Sequence, residues 1–342
     1  MIPDDLFPAL VEGAREAVWD AFAAAHRVTR HRVPEEVEHV WALVETGTAR
    51  LAAEWRPVLA RRGVSLRVTG VLIHQTPKAH YDHPLDGPVK PELGDLLVVH
   101  DHIGAAPSRR ALLLQAKRIV DGVPTSTPDV HQEYLYRHWP DFTLHGRGGG
   151  RPAAPYLPGH RTIRPNPGGS WYGLVDDDAH PHGRCAICYP QHTYLFPWMA
   201  ADPAGPALAA GAEDLGSLLA NMLYSTAYPR GRAAQQITGP LALSVAGAPN
   251  NHFDVTVEEL LRLAAARTAS FKRYPHIGGT RGQSVLCFQD PASGGPPLPP
   301  TGEAFVPSGD GEDRERPPES VEYDEDGGMS VLLIETGSEG RE

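Results

Sequence analysis

Glu92-Leu93-Gly94-Asp95 and Gln115-Ala116-Lys117, nineteen residues apart, form the polar ends of two apolar runs, LGDLLVVH at 93–100 and RALLLQAK at 110–117. Short runs of this kind, bounded by turn residues, predict two strands joined by the loop at 101–109. Side chains alternate across a strand, so Gln115 and Lys117 share a face, and hairpin pairing brings Asp95 near both. A carboxylate, an amide oxygen and an ammonium then occupy one small space. That grouping suits a hard divalent cation, with Asp95, the Gln115 amide oxygen and the Ala116 carbonyl as expected ligands for Mg2+ or Mn2+. Lys117 is expected to orient or deprotonate an attacking water, in hydrolysis of a phosphodiester.

A lysine at the wet end of an edge strand also serves simply to block strand pairing. Usage of basic residues favours the chemical role. Of 31 basic residues only four are lysine: Lys78, Lys90, Lys117 and Lys272. Lysine is a compact point charge that can lose its proton, and arginine cannot replace it in that task.

Around this hairpin the periodicity predicts a helix over residues 5–27 and a second from Pro34 to about Arg61, whose first turn carries Glu35, Glu36 and Glu38 to complement the helix dipole. A strand is expected over 65–75 and a helix over 128–138, ending before Pro140. The fold class is α/β, a mixed sheet flanked by helices, with an α+β region toward the C-terminus. Residues 1–145 read as the catalytic domain and 146–169, dense in Gly, Pro and Arg, as a linker or long loop. Residues 170–290 read as a second domain, with a strand at GSWYGLV, a helix over 213–228 and another opened by a capping box at Thr256 and Glu259. Residues 291–342 form a Pro-rich, then acidic tail in which SVLLIE is a candidate last strand.

The net charge of −11 is concentrated in that tail. Residues 301–342 hold 13 acidic residues against three arginines, so the rest of the 342-residue chain is close to neutral and a polyanionic partner is not excluded. The start, MIPDDLFPAL, lacks the features of a signal peptide, no apolar run is long enough to cross a bilayer, and three cysteines are too few for a disulfide framework. The reading is a cytoplasmic protein without a membrane partner. No phosphate-binding Gly-rich loop ending in Lys-Ser/Thr and no Gly-x-Ser-x-Gly elbow occurs.

The hairpin motif resembles the PD-(D/E)XK nuclease superfamily, with Pro91 to Asp95 as the first half-motif and Gln115-Ala116-Lys117 as the second, in the QxK form of Mrr-type restriction and prokaryotic defence nucleases. The resemblance implies a restriction-endonuclease-like fold, nucleic acid as substrate with DNA favoured over RNA, a role in defence, and an assembly with itself or with a defence-system partner. It also implies an acidic residue on the preceding helix, for which Glu45 ranks before Glu38. Gln132 and Tyr136, spaced Q-x-x-x-Y on one face of the third helix, resemble the third motif of RecB-type members and are expected to face the site or the nucleic-acid backbone.

Three other readings stand beside this one. Gln115 in place of an acid opens the way to a non-catalytic nucleic-acid-binding or assembly protein. His180, His182, Cys185 and Cys188 offer half of a structural Zn2+ site. His74, His80, His83, His100 and His102 surround the strand ends and suggest a histidine-based metal hydrolase.

Overall fold

The computed structural model describes residues 4–29, 32–73, 77–104, 107–120, 123–125, 129–145, 156–163, 169–176, 179, 196–201, 213–223, 230–237, 252–271, 285–289 and 329–338. Its helices are α1 (Phe7–Thr29), α2 (Glu36–Ala42), α3 (Thr48–Ala60), α4 (Val130–His138), α5 (Leu215–Leu223) and α6 (His252–Phe271). Its strands are β1 (Val64–Ile73), β2 (Lys78–His83), β3 (Gly87–Val89), β4 (Leu96–Ile103), β5 (Ser108–Val120), β6 (Val123–Pro124), β7 (Thr143–His145), β8 (Ser170–Asp176), β9 (Trp198–Ala201), β10 (Glu213–Asp214), β11 (Arg232–Ala234), β12 (Val285–Gln289) and β13 (Ser330–Ser338).

The large sheet has the order β10-β9-β8-β5-β4-β13-β1-β12, with β6 and β11 added against β5. It is mixed: β4 and β5 are antiparallel, β5 and β8 parallel, β13 and β4 parallel. Alternate residues of the central strands feed two cores. Leu96, Val98, Leu112 and Leu114 pack with α1, α3 and α5, whereas Leu97, Val99 and Leu113 pack with α4 and α6. A sheet covered on both faces is built from continuous apolar runs, which is why LLVV and ALLL are buried throughout.

The expected second helix is broken by a π-helical turn, Leu43–Gly47. There the Val44 carbonyl accepts from Thr48 Oγ1 at 2.5 Å, and a Cβ on Gly70 of β1 would lie 2.4 Å from that carbonyl. The bare Gly70 lets the turn sit directly on the sheet.

The expected organisation is corrected at several points. The sheet runs across the anticipated domain boundary, since β8 continues it beside β5. Within the expected linker, Arg161 and Ile163 are buried, Phe142 bridges to Arg161, and Arg161 pairs with Glu259 of α6. The SVLLIE strand of the expected tail is β13, inserted between β4 and β1. Thr256 does not open a helix either: α6 already begins at His252, and the Thr256 hydroxyl donates to the His252 carbonyl one turn back.

Candidate active site

Pairing between β4 and β5 ends at Leu96 and Leu114, while β5 continues to Val120. Beyond that point two carboxylates stand where a strand would be. The Asp95 N–H donates to the Leu114 carbonyl at 2.9 Å, closing the hairpin. Asp95 Oδ2 then accepts the Ala116 N–H at 2.8 Å, and Glu36 Oε1 accepts the Arg118 N–H at 3.2 Å. In a parallel ladder alternate residues bond to the same neighbour, and Leu113 donates to Gly169 on the β8 side. The even-numbered peptide groups therefore face the vacated edge, so the Ala116 carbonyl opens between Asp95 and Glu36.

Lys117 projects from the same stretch and holds Nζ 3.5 Å from Glu36 Oε2. The helix carboxylate at the site is thus Glu36, from the first turn of α2. Glu45 lies on the π-helical turn packed against α1 and β1, and Glu38 caps α2 and pairs with Arg32. The acids at the start of this helix carry a sequence signal, but dipole complementarity accounts for them equally well, and only the tertiary contact singles out Glu36.

Gln115 is buried, at 2% exposure, and joins a directed chain of hydrogen bonds. Gln132 Nε2 donates to the Glu92 carbonyl at 3.0 Å and to Gln115 Oε1 at 2.5 Å, and Gln115 Nε2 donates to Asp95 Oδ2 at 2.5 Å. The polarity follows from its two ends. The Glu92 carbonyl can only accept, so Gln132 must present its amide N–H2 there; Gln115 must then offer oxygen to Gln132 and N–H2 to Asp95. This corrects the expected ligand role of Gln115: its oxygen is engaged by Gln132, and its amide nitrogen positions Asp95.

Gln132 and Tyr136 do share a face, as expected, but both are buried and brace the PELGD loop instead of presenting themselves to a nucleic-acid backbone. The Tyr136 hydroxyl donates to the Leu93 carbonyl at 2.8 Å, and a Cβ on Gly94 would lie 2.9 Å from that hydroxyl. Helix α4 is placed by its N-cap Asp129, which accepts from the His131 and Gln132 N–H groups, and it ends at Trp139 in the left-handed conformation before Pro140.

Burial raises the Asp95 carboxyl to about 7, reinforced by the neighbouring charges of Glu92 and Glu36 and opposed by the Ala116 N–H and Lys117. A half-charged aspartate among these partners is the kind of group found at functional sites. Asp95 Oδ1, the Ala116 carbonyl and Glu36 are hard oxygen donors suited to Mg2+ or Mn2+.

The expected histidine cluster is dispersed. His80 packs edge-on to His145, His83 meets Asp86 and His131, and His100 and His102 both reach Thr336 at the far end of β4. His74, His180, His182, Cys185 and Cys188 lie outside the described residues. No helix among the described residues is long and apolar enough to cross a membrane. Comparison with known protein families, with curated proteins and with solved structures returns no match.

Proposed function

We propose that the protein is a metal-dependent nuclease of the PD-(D/E)XK type, hydrolysing phosphodiester bonds of nucleic acid, with DNA favoured. One observation carries the reading: Asp95, the Ala116 carbonyl edge, Glu36 and Lys117 meet where β4 stops and β5 continues. The order α3, β1, β4 entered directly from Asp95, the hairpin to the QxK strand β5, and α4 supports a restriction-endonuclease-like core, with the β2–β3 hairpin inserted before β4 and the short β6 before α4. The insertion of β13 between β1 and β4 is an elaboration of that core.

In this reading Asp95 Oδ1, Glu36 and the Ala116 carbonyl hold Mg2+ or Mn2+. When bound, the cation neutralises charge developing on the phosphoryl oxygens and acidifies water. Lys117 Nζ, steadied by Glu36, orients the phosphate and the attacking water. Gln115 and Gln132 keep Asp95 aimed at the site. A defence role, a second copy of the chain or a defence-system protein as partner belong to the same proposal.

The engagement of the Gln115 oxygen favours a second reading, a nucleic-acid-binding or assembly module without catalysis. Cleavage assays on single- and double-stranded DNA and RNA separate the two. The nuclease reading expects Mg2+- or Mn2+-dependent products, abolished by a chelator, by Asp95→Ala and by Lys117→Ala. Nucleic-acid binding without cleavage under any metal would place the non-catalytic reading ahead.

A further inference from the structure

A second group of potential ligands lies outside the Asp95 site. The tight turn between β2 and β3 places His83 and Asp86 three residues apart, with Gly87 at φ +71° closing the hairpin opposite His83. His131, in the first turn of α4, faces them from another part of the chain. One donor atom from each residue lies within 4.8 Å of the other two. His83 Nδ1 stands 2.9 Å from Asp86 Oδ2, and His131 Nδ1 stands 3.8 Å from the same oxygen. Ligands about 2.0–2.1 Å from a tetrahedral ion are separated by roughly 3.4 Å, inside the range these atoms span.

The side chains are held ready for that task. The His131 Nδ1 is buried without a hydrogen-bond partner among the described residues, an arrangement that costs free energy unless something occupies its lone pair or takes its proton. The His83 Nδ1 accepts the Asp86 N–H at 3.3 Å, which favours the tautomer with its lone pair on that nitrogen. The same nitrogen also stands 2.9 Å from Asp86 Oδ2, a contact that either an Nδ1–H donated to the carboxylate or a cation shared by the two atoms accounts for. The His83 ring is wedged edge-on between His131 and Tyr134, and the Tyr81 hydroxyl bonds the His131 carbonyl at 2.5 Å. The Asp86 side chain is 52% exposed, so the group opens to solvent on one side.

We propose that His83, Asp86 and His131 bind one zinc-type transition-metal ion that clips the β2–β3 hairpin to the first turn of α4. Two imidazoles with a single carboxylate select Zn2+ over Mg2+, which requires oxygen donors. A solvent molecule completes the coordination on the exposed side. The proposal is independent of the nuclease reading, since neither histidine contacts Asp95 or Lys117.

Titrating the full chain, freed of metal, with ZnCl2 in a calorimeter tests the site, alongside His83→Ala, His131→Ala and Cys185→Ser/Cys188→Ser. The expectation is one zinc ion per chain at these residues, retained in the double cysteine variant. Each histidine variant should weaken binding by more than about tenfold, the loss typical even when only an outer partner of a metal ligand is removed. Zinc should raise the melting temperature of the wild type and of the cysteine variant, but not that of a histidine variant that folds. Should the histidine variants fail to fold, the Co2+-loaded wild-type chain provides the second measurement. Weak visible bands without thiolate charge transfer support nitrogen and oxygen ligation. Absence of zinc binding, binding indifferent to His83 and His131, or binding lost with the cysteines overturns the proposal.

Discussion

Asp95 carries a free-energy cost that its neighbours only partly offset. Its carboxyl titrates near 7 in the fold, against about 4 in an unfolded chain. Between those values the folded state keeps a proton that the unfolded state releases, so stability falls as pH rises, and the full penalty is present above about pH 7. Asp95→Asn removes the charge and should therefore stabilise the protein at pH 8 by on the order of 1–3 kcal/mol, with little effect near pH 3; under the proposed nuclease function it should also abolish cleavage. Denaturant melts at the two pH values check this; equal effects at both would place the Asp95 carboxyl in its ordinary range. Gln115→Glu should act in the opposite direction from a simple gain of a ligand. It sets a second carboxylate against Asp95 Oδ2, and two carboxylates sharing a site raise one pKa strongly. Under the proposed nuclease function, the acid limb of the pH–rate profile should move upward by about one unit or more. A limb that stays in place would mean that the Gln115 amide does not donate to Asp95.

At the scale of elements, the PELGD loop and α4 are fastened through backbone acceptors: the Glu92 carbonyl to Gln132 and the Leu93 carbonyl to Tyr136. Gly94 lies between them because there is no space for a side chain under the Tyr136 hydroxyl. Gly94→Ala should push α4 from the loop at a cost of roughly 1–3 kcal/mol, the range for overpacking a tight contact. Under the proposed nuclease function it should also lower the turnover rate more than it changes substrate affinity, since Asp95 moves with the loop. Thermal melts and steady-state kinetics read the two effects, and wild-type values in both would show that the loop and helix are not coupled through this contact.

For the molecule as a whole, β13 is the critical strand. Val331, Leu332 and Ile334 are buried on it, between β4 and β1. Fully burying such side chains contributes about 1.5–3 kcal/mol each, and a native domain has only about 5–15 kcal/mol in total. Truncation after Gly328 should therefore yield a chain that does not fold cooperatively, seen as loss of the thermal transition and of near-ultraviolet dichroism. A cooperative transition in the shortened chain would show that the sheet closes without β13.

Local sequence determined the features that local physics can settle. The start of a strand just after Asp95 was legible because polar residues bound apolar runs, but Gln115 and Lys117 do not end theirs: β5 runs on to Val120, held in the sheet by β8. The end of the helix bearing Gln132 and Tyr136 was legible from the proline after it. The strand character of SVLLIE was also legible, but not its place, because pairing between residues more than 250 positions apart leaves no periodic trace. Tertiary structure alone decided that Glu36 and not Glu45 reaches Lys117, since a π-helical turn redirects the helix and several acids fit the same dipole. It also decided that Gln115 serves Asp95 as a donor: an amide can face either way, and only the Glu92 carbonyl at the far end of the chain of hydrogen bonds fixes its direction.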